Sequence, residues 1–302
     1  MAPDPDVAAL VAAKQRLGTT ISVCLPARNE EPTVGQIVAN VRRNLVEHFP
    51  LVDEVVVMDD GSTDATAEVA SWEGARVLAV DEVLPEVTEG SGKGNALWMS
   101  LYACDGDIVC WLDADVRNFG AHFVTRLLQP LLTDPAVGFV KAYYRRPLLG
   151  EATGGGRVTE LMARPVISAL FPHLARFVQP LAGEYAGRRE LLETVPFVEG
   201  WGVELGLVVD IAERFGIDSI AQRHLGVREH RNRTLEELAP QAMAVLVTGL
   251  RRAGIPANEM ASTLVRFGAD GERELVPVEV RERPPMITVP AYRAKFDREL
   301  TA

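Results

Sequence analysis

Residues 107–116 read DIVCWLDADV, an apolar run that ends in two acids, Asp113 and Asp115, separated by one small residue. Like charges repel, so carboxylates at i and i+2 beyond a strand end call for a cation, a hydroxyl, or both. A hard divalent ion such as Mg²⁺ takes oxygen ligands, often one or two carboxylates completed by substrate phosphates. The pair therefore suits a nucleoside diphosphate–metal complex. Two further polar clusters also close apolar runs: Pro26-Ala27-Arg28-Asn29-Glu30 follows TISVCL, and Asp59-Asp60-Gly61-Ser62 follows VDEVVVM.

The elements needed to position these clusters follow from periodicity. Short apolar runs near 19–26, 52–60, 75–80, 107–113 and 137–146 predict buried strands. Between them lie segments with apolar residues three and four apart, which predict helices. Ser62 or Thr63 is the expected N-cap of the second helix, with Asp64 near its positive end. This alternation predicts an α/β, Rossmann-like, mostly parallel sheet with helices on both faces. Ligands bind such sheets at the carboxyl ends of the strands, where all three polar clusters fall. Beyond residue 150 the texture changes. Helices are expected near 157–170, 187–195, 202–215 and 234–253, with a strand and basic loop in IDSIAQRHLGVREHRNR. Residues 256–302, rich in charge and proline, read as an extended tail packing on a neighbour or another subunit. The expected division is an α/β half (1–150), a second half of the same domain (151–255) and the tail (256–302); that the first half binds a nucleotide sugar and the second binds the acceptor and carries catalysis is what the family resemblance given below implies.

The composition narrows the partners. A net charge of −11 disfavours nucleic acid and anionic membranes, so an anionic substrate would need locally gathered basic residues. No apolar run reaches the length of a membrane span, and the acidic start MAPDPD does not resemble a secretory signal. Cys24, Cys104 and Cys110 lack metal-ligand spacing and read as buried free thiols of a reducing cytoplasm.

Three motifs beyond the strand ends carry chemistry. GSGKG around Lys93 looks like a phosphate loop. A Walker A motif, however, needs Ser or Thr after the lysine, and Gly94 stands there. Lys93 remains suitable as a point charge beside a diphosphate. TGGGRVTEL offers Gly154, Gly155 and Gly156 for a tight turn of exposed N–H groups, followed by a helix start with Arg157 and Thr159, an arrangement suited to an anion. Glu204 is the one acid at the start of the apolar helical run GWGVELGL, where a carboxylate needs a partner or a task.

Taken in order, P-x-x-N-E, D-x-G-S-x-D and D-x-D resemble nucleotide-diphospho-sugar glycosyltransferases of the GT-A fold. With GKGNALW, FVKAYYRRPL, TGGGRVTEL, QPLAGEYAGRREL, GWGVELGL and LGVREHRNR added, residues 19–255 are similar to the glucosyl-3-phosphoglycerate synthase family. The resemblance implies a retaining, homodimeric transferase that moves glucose from UDP-glucose or GDP-glucose to the 2-hydroxyl of 3-phosphoglycerate. It further implies dependence on Mg²⁺, with Mn²⁺ or Co²⁺ as substitutes. By the same resemblance, Pro26, Ala27 and Arg28 line the base, Glu30 holds the ribose and Asp60 faces the base edge. Lys93, Asp113 and Ala114 lie along the nucleotide sugar, and Asp115 and His230 bind the metal. Gly156, Arg157, Val158, Thr159, Arg228 and Asn232 hold the acceptor, with Arg231 or Arg233 as further candidates. Glu204, Asp113 and Lys93 carry the catalytic work, Glu204 as an orienting group or base. Asp60 stands where mycobacterial members carry serine, which leaves uracil against guanine open. Transfer of mannose from GDP-mannose, alone or beside glucose, is the alternative activity. A catalytically dead nucleotide-sugar sensor is the alternative of another class, disfavoured by Asp115, His230, Glu204 and the glycine loop.

Overall fold

The computed structural model describes residues 4–87, 90–148, 151–229, 233–256, 262–268 and 270–299, with the side chains of 151–153 outside that description. The expected His230, Asn232 and Arg231 lie outside the described residues.

After helix α1 (Val7–Leu17), strand β1 (Ile21–Ala27) leads to α2 (Glu31–Val41), β2 (Glu54–Asp59), α3 (Thr66–Trp72), β3 (Arg76–Ala79), α4 (Gly92–Ala103), β4 (Ile108–Trp111), α5 (His122–Thr133) and β5 (Phe139–Arg145). A short hairpin, β6 (Pro147–Leu148) with β7 (Glu151–Gly154), precedes a π-helical turn over Thr159–Ala163 that runs into α6 (Arg164–Leu170). Then come β8 (Tyr185–Arg188), α7 (Arg189–Leu192), β9 (Phe197–Val198), α8 (Val203–Phe215), β10 (Ile220–Val227) and α9 (Leu235–Arg252).

Seven strands form the central sheet in the order β10-β5-β8-β4-β1-β2-β3. Neighbours are parallel except at β8, which runs antiparallel to both β4 and β5. The central strands are buried on both faces, which is why ISVCLPA and IVCW are nearly unbroken apolar runs. One face is covered by α1, α2 and α5 around Val34, Ile37 and Phe123. The other is covered by α4, α6 and α8 around Trp98, Trp111 and Leu205.

The mostly parallel α/β sheet, the helices near 157–170, 202–215 and 234–253, and the buried free cysteines match the expectations. Three expectations are corrected. The helix foreseen over 187–195 is strand β8 followed by only four helical residues. Gly187 has Leu192 and Phe139 within 3.0 Å of where a Cβ would stand, so this crowded strand needs glycine. Neither Ser62 nor Thr63 caps α3. The Ser62 and Thr63 hydroxyls turn to Asp59 and Asn29, while Asp64 accepts from the Thr66 N–H at 3.1 Å.

The third correction concerns the tail, which is not extended: it forms elements of its own, part of them packed on the same chain. β11 (Thr263–Phe267) and β12 (Arg273–Pro277) form a hairpin, β13 (Glu282–Arg283) pairs with β9, and α10 (Pro290–Phe296) buries Tyr292 against Glu193. Trp98 Nε1 donates to the Pro284 carbonyl at 2.7 Å. Among the described residues no helix is long and apolar enough to cross a membrane.

Candidate active site

The carboxyl ends of β1, β2 and β4 open into a cleft of about 480 Å³. Every expected site residue among those described lines it: Pro26, Ala27, Arg28, Glu30, Asp60, Lys93, Asp113, Ala114, Asp115, Gly156, Arg157, Val158, Thr159, Glu204 and Arg228. The loops that carry them are braced against one another. The Asp60 N–H donates to the Ala27 carbonyl at 2.9 Å, and the Thr33 hydroxyl to the Ala114 carbonyl at 2.6 Å. Asn29 adopts φ 57°, a left-handed conformation that asparagine tolerates, and its side chain accepts from the Thr63 N–H at 2.8 Å. Burial raises the Asp60 carboxyl above its ordinary value, although Arg28 and a Gly92 N–H pull it back.

The floor of the cleft is an alternation of opposite charges. Lys93, in the first turn of α4, donates from Nζ to Asp113 Oδ1 at 2.5 Å and stands 2.7 Å from Glu204 Oε1. Arg228 Nη2 lies 2.7 Å from both Asp113 Oδ2 and Asp115 Oδ1, and its Nε donates to Glu184 at 2.6 Å. Burial alone would lift the Asp113 carboxyl, but Lys93 and Arg228 outweigh it and hold it well below the usual carboxylate range. Burial likewise opposes the Lys93 charge, yet Asp113 and Glu204 raise its affinity for the proton above that of an ordinary lysine. Glu204 is only 4% exposed in the first turn of α8, so it is no solvent-facing helix acid.

Arg228 was expected on the acceptor. It lines the cleft, and its guanidinium is engaged with the D-x-D acids and with Glu184, a fully buried carboxylate that is not among the expected site residues. Glu184 also accepts from the Tyr144 hydroxyl at 2.7 Å, and Arg146 Nη2 reaches that same hydroxyl at 2.7 Å. The network thus runs from Asp115 to the glycine loop, whose Gly155 N–H donates to the Arg146 carbonyl at 3.2 Å. A Cβ on Gly155 would stand 2.6 Å from Arg146 Cβ, and Gly156 has φ 76°, so both positions require glycine. Arg146 Nε is buried and has no hydrogen-bond acceptor among the described residues. Arg157 donates to the Arg233 carbonyl at 2.5 Å, and Arg233 stacks over Trp201. Arg146, Trp201, Leu238, Gln241 and Val245 line the cleft without having been foreseen. The RR pair at the end of the fifth strand was the available signal for Arg146. The residues on α9 had none, since helix periodicity does not tell which end faces a site.

The donor set fits a hard divalent ion. Asp115 lines the cleft, and its Oδ2 makes no hydrogen bond among the described residues. No group of three His, Cys, Asp or Glu side chains that could hold a metal occurs among the described residues. The described chain therefore offers carboxylate oxygen and leaves other positions to ligands such as phosphate oxygens, the usual habit of Mg²⁺.

Residues 22–153 match the model of the family described as Glycosyl transferase family 2. The glucosyl-3-phosphoglycerate synthase of Petrotoga mobilis is 44% identical, over 96% of this chain and 93% of that protein. That of Mycolicibacterium paratuberculosis is 50% identical, over 94% and 88%. A crystal structure of the Mycobacterium tuberculosis glucosyl-3-phosphoglycerate synthase in complex with Mn²⁺, UDP-glucose and phosphoglyceric acid superposes with a TM-score of 0.87 at 46% identity, covering 95% of this chain and 96% of that one. The same enzyme in complex with Mn²⁺, UDP and glucosyl-3-phosphoglycerate gives 0.87 at 46% identity, covering 95% and 97%. Likeness of this extent takes in both halves of the cleft, and with them the chain belongs to the glucosyl-3-phosphoglycerate synthase family of glycosyltransferases.

Proposed function

We propose that this protein transfers glucose from UDP-glucose to the 2-hydroxyl of 3-phosphoglycerate with retention of configuration. The observation that carries this is the cleft itself. Asp113 and Asp115 form one part of its wall and the Gly155–Arg157 loop another, in a chain 46% identical to an enzyme crystallised with UDP-glucose and phosphoglyceric acid. The nucleotide lies along Pro26, Ala27, Arg28 and Glu30, with Asp60 accepting from the base edge. Asp113 and Ala114 follow the sugar. Lys93 gives a point charge to the diphosphate. The acceptor's anionic groups lie on Gly156, Val158 and Thr159, with Arg157 and the unsatisfied Arg146 Nε as donors. Asn232 is the proposed further contact. Arg228 holds Asp113 and Asp115 and is a further proposed contact of the acceptor.

Asp115, with His230, would hold Mg²⁺ or Mn²⁺, which takes up charge growing on the diphosphate. The chain's own residues do the rest. Lys93 and Arg228 fix Asp113. Glu204 orients the acceptor or sugar, and the acceptor hydroxyl is kept near the anomeric carbon by its own charged groups. Front-face transfer, in which a leaving phosphate oxygen receives the hydroxyl's proton, needs no protein nucleophile.

The apolar outer face of the β11–β12 hairpin, with Val265, Phe267 and Leu275 exposed, supports a homodimer. Three free thiols support a reducing, cytoplasmic setting.

A donor panel tests the function: UDP- and GDP-linked glucose and mannose, each with 3-phosphoglycerate, with and without EDTA. UDP-glucose should turn over fastest and EDTA should stop it. Preferred turnover of GDP-mannose would move the activity to mannosyl transfer, and no turnover with any donor would contradict the proposal.

A further inference from the structure

The C-terminal tail reaches the floor of the cleft from behind. Strand β13 is only two residues long, and it pairs with β9 through Glu282 opposite Val198 and Arg283 opposite Phe197. The Arg281 carbonyl accepts from the Glu199 N–H at 2.9 Å. Successive side chains of a strand point to opposite faces. Glu282 pairs with Arg252 of α9, whose Nε holds Asp210 of α8 at 2.6 Å. Arg283 turns the other way. Its Nε donates to Asn95 Oδ1 at 2.9 Å and stands 2.9 Å from Glu199 Oε1. The side chains of Arg283 and Glu199 are 6% and 9% exposed, and Asn95 is 1% exposed, so these are contacts of the interior. The Arg283 guanidinium also lies 5.2 Å from the centroid of the Trp98 ring.

Both partners of Arg283 sit beside the charged groups of the cleft. Asn95 follows Lys93 in the first turns of α4, and Glu199 begins the short turn that leads through Trp201 into Glu204. The glycines of GSGKG belong to the same junction. A Cβ on Gly94 would stand 1.8 Å from the Val198 carbonyl oxygen, one on Gly90 2.6 Å from Glu199 Oε1, and one on Gly92 3.1 Å from Gly200 Cα. The stretch that resembles a phosphate loop is thus a close-packed joint between the start of α4 and the approach to α8. Each helix brings the positive end of its dipole here, and Lys93 adds a charge of the same sign, so the two starts repel. Glu199 supplies an anion at the joint, and Arg283 ties that anion to α4.

On the proposed function, on which this inference rests, Lys93 faces the diphosphate and Glu204 orients acceptor or sugar, so the spacing of the two bears on the reacting geometry. We propose that Arg283 is a positioning residue for Lys93 and Glu204: by holding Asn95 and Glu199 together it fixes this pair, 2.7 Å apart, at the floor of the cleft. The tail thereby takes part in catalysis, although none of the described residues lining the cleft belongs to it.

The test is steady-state kinetics of the full chain carrying Arg283→Met together with Glu199→Gln, which removes both charges and strands neither. UDP-glucose and 3-phosphoglycerate are varied in turn. Rates are taken per folded enzyme, well below the melting temperature, with the folded fraction read by circular dichroism. A positioning role predicts a loss of about 10- to 100-fold in kcat, since small misplacements at a reacting centre have effects of that size. The KM for 3-phosphoglycerate, which meets the glycine-loop wall, should stay within about twofold. Should the double variant not fold, Glu199→Gln alone keeps the shape of its side chain and should show a smaller loss with the same split. Wild-type kcat per folded enzyme would overturn the inference, as would a loss shared equally by kcat and the KM for 3-phosphoglycerate. A wild-type chain that transfers no glucose would instead sink the functional proposal, so the two failures are distinguishable.

Discussion

The Lys93 ammonium lies 2.7 Å from Glu204 Oε1, and each residue occupies the first turn of its own helix, α4 and α8. Two positive helix ends therefore converge on the cleft. That field suits Glu204 and burdens Lys93, whose charge Asp113 offsets at 2.5 Å.

Glu204→Gln keeps the shape of the side chain and removes its charge. If Glu204 orients acceptor or sugar, turnover should fall by roughly 10²–10⁴ without vanishing. If it were a nucleophile, Glu204→Gln would be inert and Glu204→Ala would form glucosyl azide in the presence of azide. Mass spectrometry of the azide reaction separates the outcomes, and no glucosyl azide is expected.

Arg228 is 2% exposed and contacts Asp113, Asp115 and Glu184. Arg228→Met leaves the fully buried Glu184 without its cation, which should cost about 3–5 kcal/mol of stability. Urea unfolding measures this, and a loss below about 0.5 kcal/mol would show that the network carries no such weight.

Arg157→Ala removes a guanidinium from the glycine-loop wall of the cleft. The KM for 3-phosphoglycerate should rise at least about tenfold, as a charge-assisted contact is lost, while the KM for UDP-glucose holds. The reverse pattern would assign the loop to the nucleotide.

Lys141 makes stability depend on pH. Its amine is pushed from 10.5 to about 7 by burial, against Glu204, Glu184 and Asp113 and assisted by Lys93. The unfolded chain then binds more protons than the folded one between these values. Stability should rise with pH from about 7 to 10, by up to about 1 kcal/mol per unit from this group, and the gain should be lost as pH falls through 7. Unfolding curves of wild type and Lys141→Met should diverge in slope over this window; parallel slopes would contradict the assignment.

Much of this site was legible because strand ends announce themselves. Asp60, Asp113 and Asp115 stop apolar runs, and an acid in GWGVELGL needs a reason. Elements whose local signal conflicts with their place were not legible. GEYAGRREL contains glycine and paired arginines and reads as a helix start, yet Tyr185–Arg188 is a strand fixed by pairing with β4 and β5. With β8 misplaced, Glu184 and Tyr185 could not be seen as partners of Arg228 and Lys141. Arg228 likewise reads as part of a basic loop, and its reach across 115 positions to Asp113 belongs to the sheet order alone. The tail misled because its order comes from long-range contacts such as Trp98 with Pro284 and Tyr292 with Glu193, which no local pattern encodes.

The most direct measurement uses UDP-glucose labelled with ¹³C at the anomeric carbon, incubated with 3-phosphoglycerate and Mg²⁺ and followed by NMR. Wild type should move the label to the 2-oxygen of phosphoglycerate with the anomeric configuration of the donor retained, and Asp115→Ala should leave it in UDP-glucose. Label found in free glucose, in an inverted product, or moved equally well by Asp115→Ala would contradict transfer at this cleft.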